Sequence, residues 1–295
     1  MMTDNPQISL AIQFIFAGLT SGSIYALVAL GFNMIYNVTM VVNLAQGEFL
    51  MLGAMTMISL HTGLKLPIPV ALVLSTLIVG SIGVVFDRFI IRPLKKPTLL
   101  VLILLTLGAS TFLKGIALLI WGKAPYSAPA FSELKSISLL GASFSPQILW
   151  VIGTVVVASG GLWVFFERTL IGKAMLACAE NPRAASLMGV DVKNFITISY
   201  FLGGAIGGLG GVMIAPISFM VYDGGTMMGL KGFAAAVLGG VGSYPGAVIG
   251  GVVLGLLENL ATGYISSFFK DTIAFLALLS ILFIKPSGLI KRTGE

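Results

Sequence analysis

In the stretch "VVNLAQGEFLMLGA" (41–54), Asn43, Gln46, Gly47 and Glu48 interrupt a run of Val, Leu, Phe and Met. A carboxylate is costly at bilayer depth, and those found there face a bundle interior or a wet cavity. Side-chain amides and a glycine beside it suit a place where the backbone leaves a helix. Such a break is tolerated only where the chain is buried in protein or lines water. The chemistry on offer is non-covalent: polar contact with a solute in transit, or coupling to a proton or cation. A second interruption, "LGGVGSYPGAVIGG" (238–251), contains Gly242, Ser243 and Pro245. Pro245 lacks a backbone donor and disfavours helical geometry at Tyr244, which predicts two half-helices or a tight hairpin. Glu258 is the other carboxylate at depth, either adjoining a path or snorkelling to an interface.

A different kind of signal lies in "TLIGKAMLACAENPRAASLMGVDVKNF" (169–195). Asn181 suits a helix N-cap and Pro182 the first helical position. Ala184, Ala185, Leu187 and Met188 form the body, and Gly189 suits the position just past the end. A two-turn helix is too short to persist alone, so neighbouring structure must hold it. Its small residues suit docking into a groove of a soluble partner, with Glu180 and Arg183 as flanking polar contacts. The alternative is a connector lying along the membrane surface.

Other chemistry is absent from the chain. Gly172-Lys173 is followed by Ala174, with no glycine at the spacing a phosphate-binding loop needs. The glycine clusters at 203–211 and 239–246 sit in apolar spans rather than after a strand, so a dinucleotide reading fails. There is no HExxH, no catalytic triad, and a single cysteine, Cys178, and a single histidine, His61. We expect no catalytic residue and no metal site. His61 reads as an interfacial residue. Any work must draw its energy from a partner.

The elements that carry these residues belong in a membrane. Hydrophobic residues are 57% of the chain and charged residues 9%, and the mean hydropathy is +1.03. Soluble domains carry roughly a quarter charged residues. Apolar segments fall at about 10–34, 40–60, 68–86, 98–121, 147–166, 195–221, 229–262 and 268–284. They lack the alternation of a membrane barrel. The expected fold is all-α: a polytopic helical membrane protein with about eight to nine membrane segments, two of them interrupted, forming one permease domain over 1–295.

The net charge of +6 is a topology signal rather than a nucleic-acid one, because the Lys and Arg sit in short connections. Arg88, Arg92, Lys95 and Lys96 share one connection, Arg168, Lys173, Arg183 and Lys193 another, and Lys285, Lys291 and Arg292 the tail. All three regions are expected in the cytoplasm. That puts the N-terminus, with Asp4, outside, and requires 229–262 to cross twice or fold back. Of the 37 glycines, those at 203–211 have GxxxG spacings that suit close helix packing. Asn37-Val38-Thr39 matches a glycosylation acceptor. The two interruptions fall one in each half, a pointer to a transport path, although no residue-by-residue repeat is visible.

Together, "NLAQGEFLMLGA", "GKAMLACAENPRAASLMGVDV" and "KGFAAAVLGGVGSYPGAVIGGVVLGLLEN" resemble the permease subunits of ABC importers for branched-chain amino acids, specifically the shorter, LivH-like kind. The resemblance covers nearly the whole chain. It implies a bacterial inner-membrane subunit paired with a second, related permease and two cytoplasmic ATPases, which bind the ATP and Mg. A periplasmic amino-acid-binding protein delivers the substrate. The family's ATPase-coupling segment maps onto 172–189, from Gly172, with Ala179, Asn181, Ala184, Ala185 and Gly189 in matching positions. Alternating access is the implied mechanism. The alternatives are an ion-coupled secondary transporter using Glu48 or Glu258, and a passive channel or scaffold.

Overall fold

The computed structural model of the chain describes residues 6–94, 98–132, 136–139, 142–285 and 288–290. Asp4, Lys95, Lys96, Lys291 and Arg292, on which part of the charge argument rests, lie outside the described residues.

The chain begins with helix α1 (Pro6–Thr39), whose 34 residues span about 50 Å at 1.5 Å per residue, well beyond one hydrocarbon thickness. Next come α2 (Gln46–Ile58), extended by a π-helical turn over Ser59–Gly63, and α3 (Ile68–Phe86), extended by another over Asp87–Ile91. Helix α4 (Leu99–Trp121) leads to a small antiparallel hairpin of β1 (Ile137–Leu139) and β2 (Ala142–Phe144). Helix α5 (Gln147–Arg168) follows, then the short α6 (Leu170–Glu180) and α7 (Pro182–Leu187). The remaining helices are α8 (Val192–Ile214), α9 (Gly225–Gly239), α10 (Tyr244–Tyr264) and α11 (Lys270–Ile284). Among the described residues, seven helical stretches are long and apolar enough to cross a membrane, with α2 and α9 shorter. The expected split of 229–262 is present, because α9 ends at Gly239 and α10 starts at Tyr244.

The helices pack as two interleaved sets related by inversion. Helix α1 crosses α10 in antiparallel sense, with Gly22 against Gly251 and Gly18 against Gly255. Helix α8 crosses α3 likewise, with Gly204 against Val79 and Gly83 against Tyr200. Helix α2 lies along α8 through Gly53 and Gly208. Helix α9 lies along α1 in the same way, with Gly232 on Val28 and the Phe32 and Phe233 rings 5.8 Å apart. The sets α1–α4 and α8–α11 therefore occupy equivalent places with opposite directions. This is an inverted repeat of the kind that builds transport paths. No sequence similarity marked it, because packing preserves small residues at crossings rather than an order of side chains.

The crossings need glycine because the backbones touch. A Cβ on Gly22 would fall 2.8 Å from the Val252 Cα, and one on Gly204 would fall 2.9 Å from the Val79 carbonyl oxygen. In lipid, where apolar burial drives little helix association, this close approach supplies the packing energy.

Candidate functional site

Helix α2 starts within the bundle, beside the last third of α1. Gln46 abuts Gly31, and its Nε2 donates to the Gly203 carbonyl of α8 at 2.9 Å. The chain reaches this point by leaving α1 after Thr39 and returning through 40–45, where Asn43 Oδ1 accepts from the Ala45 amide at 3.1 Å. The interruption anticipated around "NLAQGE" is thus real, but it ends earlier than expected. Gln46, Gly47 and Glu48 belong to the first turn of α2, not to the break itself. The inverted partner, α9, also starts within the bundle. Gly47 of α2 packs against Gly225 and Gly229, so the N-termini of the two half-helices meet.

Glu48 sits at that meeting point, 1% exposed. Its Oε1 accepts from Ser110 of α4 at 2.9 Å and from Thr226 of α9 at 3.1 Å. Thr226 in turn accepts from Lys114 Nζ of α4 at 3.0 Å. The carboxylate therefore gains two hydroxyl donors and the partial positive charge of helix N-termini, with an ammonium one hydroxyl away. Its second oxygen, Oε2, has no hydrogen-bond partner among the described residues. A cavity of about 140 Å³ adjoins the cluster, lined by Ser110, Lys114 and Thr226 among apolar neighbours. The sequence argument found Glu48 and missed Lys114, Ser110 and Thr226. A lysine seven residues before the end of an apolar span was the signal available.

The second interruption is closed by α1. Asn33 accepts from the Gly242 amide at 3.0 Å and donates to the Ser243 carbonyl at 2.9 Å. Asn37 donates to the Gly242 carbonyl at 2.8 Å. Both asparagines are almost wholly buried, so Asn37 is a structural ligand of this turn and not a surface glycosylation acceptor. Gly242 has φ +88°, a conformation that favours glycine. The Ser243 hydroxyl caps α10 by accepting from Gly246 at 3.1 Å, and Pro245 stands in the first turn. Next to this turn lies a cavity of about 620 Å³, bounded also by Trp163 and Glu167 of α5 and Leu176 of α6.

Glu258 joins neither place. Fully buried, it pairs with Lys231 of α9 at 2.8 Å and with Lys270 at 3.2 Å, while Lys231 also meets Asp271 at 2.6 Å. It is not the snorkelling residue that was one expectation, nor does it lie at either interruption. Its charge is already spent on two lysines, which leaves little for coupling an ion.

The segment 169–195 folds as its capping residues anticipate. Thr169 accepts from Gly172 at 3.0 Å at the start of α6, and Asn181 accepts from Ala184 at 3.0 Å at the start of α7. Gly189 ends it with φ +86°. The residues singled out divide into two groups. Gly172, Ala179 and Ala185 are buried and hold the short helices to the bundle. Glu180, Asn181, Pro182, Arg183, Ala184 and Gly189 are exposed. Large apolar side chains of the segment are exposed too: Leu187 at 89%, Leu170 at 86% and Met188 at 85%. Just beyond, Thr197 near the start of α8 donates to buried Asp87 at 2.6 Å and accepts from Arg92 at 2.7 Å, which ties the end of α3 to the exit of this segment. His61, at the far end of α2, bonds the Leu66 carbonyl through Nδ1 at 2.8 Å.

Residues 14–284 match the family described as branched-chain amino acid transport system / permease component. The chain is 31% identical over 297 residues to the high-affinity branched-chain amino acid transport system permease protein LivH of Escherichia coli K12, covering 95% of this chain and 96% of LivH. It is 30% identical to BraD, the corresponding permease protein of Pseudomonas aeruginosa, covering 97% and 98%. The autoinducer 2 import system permease protein LsrC of Shigella flexneri is 28% identical, covering 92% of this chain and 79% of LsrC.

Proposed function

The chain belongs to the family of permease components of branched-chain amino acid transport systems, and on that premise we propose that it carries a branched-chain or related hydrophobic amino acid across a bacterial inner membrane. It acts as the membrane-spanning part of an ATP-driven ABC importer, as one permease domain. Cytoplasmic ATPases bind the ATP and Mg, a binding protein delivers the amino acid outside, and a second, related permease completes the path. The N-terminus faces the outside and the tail the cytoplasm.

The observation that carries the reading is α7. A capped helix leaves Leu187 and Met188 exposed, at the end of the bundle richest in Lys and Arg, in a chain without an ATP-binding loop. Exposed apolar side chains on a rigid element suit an anchor in a partner's groove. When the ATPases close, α7 moves with them. Its motion reaches α5 and α10 through α6 at the larger cavity, and α3 through Asp87, Arg92 and Thr197. The inverted halves then rock about the meeting point of α2 and α9, exposing the path alternately to each side. Branched-chain substrates are supported by LivH and BraD, more similar to this chain than LsrC is.

The test is co-purification and transport. With its partners co-expressed, the tagged chain should bring down an ATPase and a second permease, and a Leu187→Glu, Met188→Glu variant should lose the ATPase alone. In proteoliposomes, leucine uptake should need ATP and the binding protein and should survive collapse of ion gradients. Uptake driven by a gradient without ATP would sink the importer assignment.

A further inference from the structure

We propose that the cavity beside Glu48 is a transient site for the zwitterionic head group of the amino acid in transit. The inference rests on the importer reading above and deepens it by naming where the substrate is held and what is recognised.

The argument starts from unspent charge. Lys114, part-exposed on a membrane-spanning helix, donates to the Thr226 hydroxyl of α9. An ammonium has three donors, and one of these is used. Among the described residues, no carboxylate lies within 4.0 Å of it. Across the Thr226 hydroxyl stands Glu48, with its Oε1 satisfied and its Oε2 buried and unpartnered. A cation and an anion are thus held apart by a hydroxyl group, each with bonding capacity to spare. The lining between them is Ser110 and Thr226, and the wall beyond is Phe32, Leu107 and Phe233.

A neutral amino acid complements this arrangement at three points. Its carboxylate meets the free N–H groups of Lys114. Its ammonium meets the Ser110 oxygen, whose own hydrogen points to Glu48, so the negative charge lies directly behind the acceptor. Its aliphatic side chain rests on the apolar wall. The Lys114–Glu48 pair is neutral and a zwitterion leaves it so, whereas a lone acid or amine would add a net charge beside it. The cavity is small, about 140 Å³, and only the head group is held by polar contacts. That suits a site that must also let go.

The experiment uses the purified permease–ATPase complex in nanodiscs without the binding protein, whose own selectivity would mask the site. Binding of tritiated L-leucine is competed with 4-methylpentanoate, which lacks the ammonium, and 3-methylbutylamine, which lacks the carboxylate. With the wild-type chain, each analogue should compete at least about tenfold more weakly than L-leucine, the loss expected for one charge-assisted hydrogen bond. Lys114→Met should weaken leucine binding by a similar factor and Lys114→Arg by less, in complexes that still assemble. Analogues that compete as well as leucine, or a Lys114→Met complex with unchanged leucine binding and uptake, would overturn the site while leaving the importer function standing. If the complex moves a different neutral amino acid, with the same dependence on Lys114, the branched-chain assignment fails and the site stands.

Discussion

At the residue scale, several buried polar side chains answer backbone or charge on distant helices, and their worth can be measured one at a time. Asn33 serves both the Gly242 amide and the Ser243 carbonyl. Asn33→Ala leaves the buried Gly242 amide without a partner, at a cost of about 1–3 kcal/mol, while the Ser243 carbonyl still accepts from the Ala247 amide. Asn33→Ala should therefore lower the unfolding temperature of the detergent-solubilised protein clearly. The Lys231–Glu258 pair makes the opposite point. Removing one partner of a buried ion pair costs about 3–5 kcal/mol, while removing both can be nearly neutral. Lys231→Met alone should destabilise strongly. The double variant Lys231→Met, Glu258→Leu should recover much of the loss, because Lys270 and Asp271 are then left to each other. A thermal double-mutant cycle reads the coupling, and additive losses would mean the pair contributes nothing as a pair. The depth of Glu258 was legible in its sequence position, but its burial, rather than snorkelling to an interface, was not. The identity of its partner was not, since Lys231 lies 27 residues away on a separate helix.

At the element scale, two half-helices starting within the bundle are possible because glycines replace side chains at each crossing. Gly53 faces Gly208 so closely that even a methyl group meets backbone on the other side. Gly53→Val should block assembly of the α2–α8 pair, seen as loss of the folded species in size-exclusion chromatography. Gly108→Val, where a Cβ meets nothing within 4 Å, should be tolerated. The two-turn α7 tells a complementary story. Its cap, first-turn proline and terminal glycine were readable locally, because each acts within a few residues. Which face it presents was not readable. Ala185 turned out to be buried and Leu187 exposed, a matter of how α6 and α8 hold it.

At the scale of the whole molecule, the inverted halves and the charge distribution fix opposite ends. Lys173 lies in α6, while Lys123 follows α4 toward the hairpin, and both are exposed. In a Cys178→Ala background, Lys123→Cys should be labelled by an impermeant maleimide from outside intact cells and Lys173→Cys only after permeabilisation. The opposite pattern would invert the proposed orientation. The native Cys178 should stay silent in the unmodified chain, because it is buried and burial pushes its thiol pKa up. A raised pKa leaves less thiolate at neutral pH.

The sequence by itself determined the membrane-spanning helical class, the presence of both interruptions, the first only to within a few residues, and the capped helix beyond α5. Each follows from composition or from contacts a few residues long. The tertiary structure alone decided which groups answer one another. Asn33 and Asn37 find their partners more than 200 residues along the chain. Glu48 finds Ser110 and Thr226 on two other helices, and Lys114 joins the cluster through Thr226. The inverted repeat was hidden for the same reason. Hydrocarbon surroundings demand that buried polar groups be satisfied and that crossings be close, but they do not dictate which helix supplies the partner. Only the packing of α1–α4 against α8–α11 makes that choice.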